Sequence, residues 1–226
     1  MSLPVRVGTL LVAFLAVVGF AIFVVVHWLL AGPRVISASA APGNQVNLVM
    51  QEDPQTTVTS KPDWVSYFIR DPSTKKWVHT TLFKVPAGAT VHVTVFGYDG
   101  CTPLRNPFWG RVTGTVGGTE TIDGKTVKAV DSWRTCSVGH TFSIPSIGLN
   151  VPMGSPTTVQ ENNNLCADSP CTSGPKATMQ FSFIAPKTPG NYFWQCRVPC
   201  GGGFVTGFGG PMQTIGYMTG EMEVAS

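Results

Sequence analysis

Apolar and polar positions divide this chain near residue 34 into two unlike parts. From Val7 to Ala31, "VGTLLVAFLAVVGFAIFVVVHWLLA", no residue carries a fixed charge. A helix of that length rises about 37 Å, more than the roughly 30 Å of a hydrocarbon core. The pattern therefore predicts a single transmembrane helix, with residues 1–33 as a membrane anchor. The small-residue run "SASAA" just after Ile36 offers the competing pattern of a cleaved signal peptide. A signal sequence, however, has an apolar stretch of only about 7–15 residues, so the length favours a retained anchor. After Arg34 the pattern changes to alternation: "QVNLVM" at 45–50, "ATVHVTVFGYD" at 89–99, "ATMQFSFIAP" at 177–186 and "EMEV" near the end, with Pro/Gly turns between. Side chains that change face at every residue belong to half-buried strands, so residues 34–226 read as one all-β domain, a sandwich or a barrel.

Charge removes several function classes. The net charge is only +3, no basic run interleaves with aromatics, and no glycine loop precedes a Lys-Ser/Thr pair. Nucleic acid and nucleotide phosphates are therefore not expected ligands. Scattered carboxylates form no acid/base pair and no nucleophile elbow is present, so catalysis by this chain alone is not predicted. The six cysteines all follow the anchor. An even number in an exported domain suits an oxidising exterior, which places residues 34–226 on the extracytoplasmic face of the plasma membrane. Within the anchor, His27 beside Trp28 is an intramembrane ionisable group, which raises a contact to a quinone or a partner helix. The simpler reading is that it reaches headgroup water near the outer interface.

Three segments carry a family resemblance. "FKVPAGATVHVTVFGYD" (83–99) resembles the strand, Pro-Ala-Gly turn and strand that open cupredoxin cores. "GHTFSIPSIGLNVPMG" (139–154) is similar to the first-histidine segment of cytochrome c oxidase subunit II, and "APKTPGNYFWQCRVPCGGG" (185–203) to its last strand and Cys-x-x-x-Cys-Gly loop. The resemblance implies a Greek-key cupredoxin sandwich on a single N-terminal transmembrane helix. Carried over residue by residue, it implies copper ligands at His140, Cys196 and Cys200 and at the backbone carbonyl of Val198. The family's second histidine, four residues past the second cysteine, falls on Phe204, and its methionine falls on Gly207. Met212 supplies a methionine after a lengthened loop, but nothing restores the imidazole. His79 and His92 precede the copper segments, and His92 reads as an ordinary strand-face residue. A copper pair needs thiolates and an imidazole on each metal, so no cofactor is expected, with copper as the alternative. Without metal, Cys196 and Cys200 are expected to close as a disulfide.

Measured against the subunit II pattern, the chain carries two insertions, at about 100–137 and 155–176. Cys101 and Cys136 bracket the first, and pairing them closes a loop worth roughly 3–4 kcal/mol. Cys166 and Cys171 sit in the second, in "ENNNLCADSPCTSG", and are expected to form a local bridge. The first insertion holds Phe108, Trp109 and Trp133 with Arg105, Arg111 and Arg134. It reads equally as a docking surface or as a satellite core under a long loop. The functional expectation is a subunit II-like accessory or structural subunit of a membrane respiratory oxidoreductase complex, partnered by its integral membrane subunits. The alternative is a copper-binding electron-transfer subunit delivering electrons to a terminal oxidase.

Overall fold

The computed structural model describes residues 3–29, 33–54, 64–158, 166, 169–200 and 210–226. Two compact units are present, residues 1–32 and 33–226. In the first, Leu3–Val24 forms helix α1, continued by a π-helical turn Val25–Leu29. Within it Gly8–His27, with mean hydropathy 3.0, is the described helix long and apolar enough to cross a membrane. The rings of Phe23 and His27, one helical turn apart, stack at 4.5 Å.

The second unit is the expected β sandwich, built from two sheets. One has β1 (Ile36–Ser37), β6 (Leu82–Pro86), β14 (Thr219–Ala225), β13 (Gly190–Gln195), β10 (Val138–Ile144) and β11 (Leu149–Gly154) side by side in that order. The other runs β5 (Trp77–His79), β4 (Ser66–Arg70), β3 (Gln45–Asp53), β7 (Thr90–Gly97), β12 (Ala177–Ile184), β8 (Glu120–Ile122) and β9 (Lys125–Val127), with β2 (Ser39–Ala41) also on β3. Neighbours that are distant in sequence, such as the parallel pairs β3–β7 and β14–β6, bring separate stretches of the chain together within each sheet.

Alternation decides what goes inside. In β7 Val91, Val93 and Val95 are buried while Thr90, His92 and Thr94 lie on the other face, and in β12 Met179, Phe181 and Phe183 repeat the rhythm. Burying each such side chain contributes roughly 1.5–3 kcal/mol. Trp194 of β13 is the largest fully buried side chain. Its ring meets Phe142 at 4.8 Å and Tyr67 edge-on at 5.1 Å, and its indole N–H donates to the Thr81 carbonyl at 2.9 Å. That bond satisfies the one polar atom the indole carries into the core. The close approach requires glycine nearby: a Cβ on Gly220 would stand 2.1 Å from the same Thr81 oxygen.

The first insertion is not loop alone. Its β8–β9 hairpin joins the second sheet through β12, and a short helix, α2 (Ser132–Thr135), follows. Cys101 and Cys136 are disulfide-bonded at its base, with Cα atoms 5.3 Å apart. Cys166 and Cys171 form the second bridge, which packs with Tyr98 in a small cluster beside the main core.

Candidate metal centre

Strand β10 carries the first donor. Its register with β11 shifts between Val138 and His140, a bulge of the kind that re-aims a side chain. Gly139 makes the bulge possible, since a Cβ there would lie 2.8 Å from the Gly100 carbonyl oxygen. The result is a buried His140 facing the loop that leaves β13. That loop carries Cys196 and Cys200, also buried. It is held down by Cys196 N–H donating to the Met218 carbonyl at 2.9 Å and Arg197 N–H donating to Thr141 Oγ1 at 2.7 Å.

Three donor atoms converge there. His140 Nδ1 lies 2.7 Å from Cys200 Sγ and 3.7 Å from Cys196 Sγ. The two sulfurs are 3.0 Å apart, well beyond a disulfide bond of about 2.05 Å, and both cysteines are free. The structure thus leaves unbonded the two cysteines expected to close as a disulfide. The imidazole sits against both sulfurs, and Thr141 N–H donates to Cys196 Sγ at 3.4 Å. The Val198 carbonyl oxygen lies 3.6 Å from Cys196 Sγ, on the same side of the loop.

Behind the histidine stand two carboxyls. His140 Nε2 is 2.8 Å from Asp99 Oδ2 and 3.9 Å from Glu52 Oε2. An Nε2–H donated to Asp99 fixes the tautomer and turns the Nδ1 lone pair toward the sulfurs. Both Glu52 oxygens are buried with no close hydrogen-bond partner among the described residues, and burial raises this carboxyl to about 8. Burial opposes a charge on His140, but Glu52, Asp99 and the Cys196 thiol outweigh it and raise the imidazole well above its ordinary value. Burial likewise opposes the Cys196 thiolate, yet hydrogen bonds from Cys200 and His140 bring its titration well down, while burial and the neighbouring thiolate push Cys200 well up.

These residues fit a thiophilic metal. The His140, Cys196 and Cys200 donor atoms lie within 4.8 Å of one another, all from buried side chains. Two sulfurs and an imidazole are the donor types that suit copper or zinc. Met212 is half-buried against the core, and its backbone carbonyl accepts a bond from the Gln195 amide. Phe204 and Gly207 lie outside the described residues. His92 stands elsewhere, on the outer face of β7, bonded to Ser182 at 2.8 Å and Gln45 at 2.7 Å. His79 packs between the rings of Phe68 and Tyr217. Neither is among the three clustered donors. Sequence reasoning missed Glu52 and the tethering role of Asp99. The signal for Asp99 was its position closing "VFGYD"; nothing marked Glu52, which β3 delivers from a distant part of the chain.

No family model and no curated protein matches the chain. Among solved structures, it is similar to the metal-binding domain of the Streptococcus pneumoniae copper(I)-exporting P-type ATPase CopA: 11% identity, 87% of this chain and 100% of that one, TM-score 0.35. It is similar to rusticyanin from Thiobacillus ferrooxidans, with 15% identity over 86% of this chain and 84% of that one, TM-score 0.34. A chain of a haem-copper terminal oxidase dimer is also similar, with 15% identity over 97% and 98% of the two chains, TM-score 0.31.

Proposed function

We propose that this is a membrane-anchored, extracytoplasmic, cupredoxin-like protein whose sandwich binds copper through His140, Cys196 and Cys200 and serves electron transfer in a membrane respiratory oxidoreductase. One observation carries the reading: two buried, unbonded thiols and an imidazole converge at a single point. Bound copper would supply one-electron exchange. The chain's own residues do the rest. Cys196 and Cys200 offer soft donors, and Asp99 orients His140. Burial excludes water, and copper would be held by deprotonated thiols and a neutral imidazole. The membrane and oxidase assignments rest on the apolar helix and on the sequence segments that resemble oxidase subunit II.

A second reading, the copper-free accessory subunit, is favoured by one feature: His140 is the single histidine in the cluster, and Phe204 stands where the family has its second imidazole. Purified full-length chain in detergent, reduced and titrated with copper, separates the two. The copper reading expects stoichiometric loading with a thiolate-to-copper absorption band and a paramagnetic signal, lost in Cys196→Ser and His140→Ala. A colourless protein without copper uptake and without free thiols overturns it in favour of the accessory reading. Uptake of zinc in preference to copper overturns electron transfer and keeps a structural metal.

A further inference from the structure

We propose that the first insertion presents a docking surface for a protein partner with an acidic contact face. The sequence left the insertion's rings open between satellite core and interface, and the structure divides them. Leu104 is buried and Trp109 half-buried against the main core, whereas Phe108 is 47% and Trp133 54% exposed. Large apolar rings held in water beside charged groups mark interaction surfaces.

Each exposed or half-buried ring is paired with a guanidinium or with another ring. Arg105 lies over Trp133 at 5.5 Å, Arg197 over Trp109 at 5.8 Å, and Phe108 meets Trp109 edge-on at 4.8 Å. Arg105, Arg111 and Arg197 make no ion pair among the described residues, so their charge is free to meet a partner. The acidic groups of the insertion are already engaged. Asp131 pairs with Arg134 at 3.6 Å, Asp123 accepts the Thr178 N–H, and Glu120 is buried and pushed up to about 9, hence uncharged at neutral pH. The face is therefore positive, and carboxylates are its complement, best matched by arginine's planar fork.

It is also rigid. The Cys101–Cys136 bridge closes its base, Asn106 Oδ1 caps the Phe108 N–H, and Ser132 Oγ donates to the Thr102 carbonyl. Asn150 Nδ2 holds the carbonyls of Trp109 and Arg111. Side chains ordered before contact lose less entropy on binding. Arg197 directly follows Cys196, so a partner seated on Trp109 stands next to the candidate metal loop. The proposal stands on this surface and does not require the metal.

The test uses the full chain in nanodiscs of neutral phosphatidylcholine, both metal-free and copper-loaded. Probes are a polyglutamate peptide and acidic plastocyanin, with polylysine, basic cytochrome c and phosphatidylglycerol vesicles as counter-probes; tryptophan fluorescence reports binding. The acidic probes are expected to bind and to weaken at least tenfold as salt rises toward about 0.15 M, where charges are screened beyond roughly 8 Å. Arg105→Glu with Arg111→Glu is expected to cost a further tenfold or more, and Trp133→Ala to weaken binding at unchanged thermal unfolding. Lys75→Glu with Lys76→Glu, in the turn between β4 and β5, serves as the charge control and is expected to change binding less than twofold. Equal binding of basic probes, indifference to the arginine reversals, or binding to the vesicles alone overturns the proposal. Failure of copper to load, with acidic binding intact, sinks only the metal reading.

Discussion

The two ends of the first insertion and the loop after β13 each hold a cysteine pair, yet the pairs differ in bonding. Cys101 and Cys136 are bonded, and so are Cys166 and Cys171, while Cys196 and Cys200 keep their sulfurs 3.0 Å apart. The bonded pairs sit in the two insertions, Cys166–Cys171 packed beside Tyr98. The free pair is buried against an imidazole braced by Asp99 and Glu52. Spacing in sequence does not separate these cases. What surrounds the sulfur does.

The strongest way to break that contrast is to remove the staple. Cys101→Ser opens a loop of sequence separation 35 and is expected to cost about 4 kcal/mol in denaturant unfolding. Copper stoichiometry should survive under conditions where the variant is folded. A variant that loses copper while folded would mean the two pairs are not independent. Next in size, Asp99→Asn should leave both thiols titratable but weaken copper affinity about 10–100-fold, because the ring loses the carboxylate that orients it. An unchanged affinity would remove Asp99 from the site.

A titration sharpens the contrast from the insertion's side. Glu120 is held protonated to about 9 in the folded state by burial but ionises near 4.5 when unfolded, so folding takes up a proton between those values. Its contribution is greatest below pH 4.5 and falls as pH rises toward 9. Glu120→Gln should flatten that slope and gain about 1–3 kcal/mol at pH 8 relative to wild type, read from urea midpoints at pH 5 and pH 8. An unchanged slope would mean the carboxyl is not confined as the structure has it. The smallest effect belongs to His92→Ala, expected to cost under about 1 kcal/mol and to leave copper loading intact, since its two hydrogen bonds lie on the sheet's outer face. Loss of copper in this variant would show that a second imidazole reaches the site after all.

Much of the frame was legible from residue order. Alternation in 89–97 and 177–184 gave β7 and β12 because a strand's period of two leaves no other way to bury Val91, Val93, Met179 and Phe183 together. The apolar run before Arg34 gave α1 for an equally local reason. The insertion's hairpin β8–β9 was not legible: "ETI" and "KTV" are too short for periodicity to mark, and they become strands by pairing with each other and with β12.

The site divides along the same line. The resemblance to oxidase subunit II, carried by local segments, implied His140, Cys196 and Cys200 as a donor set, and the structure brings their donor atoms together. It also put Cys101 and Cys136 at the edges of one insertion. It did not show what surrounds Cys196 and Cys200, because their neighbours are His140, 56 and 60 residues away in the chain, and behind it carboxyls from β3 and from just past β7. Only the packed sandwich brings Glu52, Asp99 and His140 behind the sulfurs, through the Gly139 bulge and the parallel pairing of β3 with β7. Hydrogen bonds and charges act over a few ångströms of space whatever the sequence separation, so the surroundings of those two sulfurs were set by the fold.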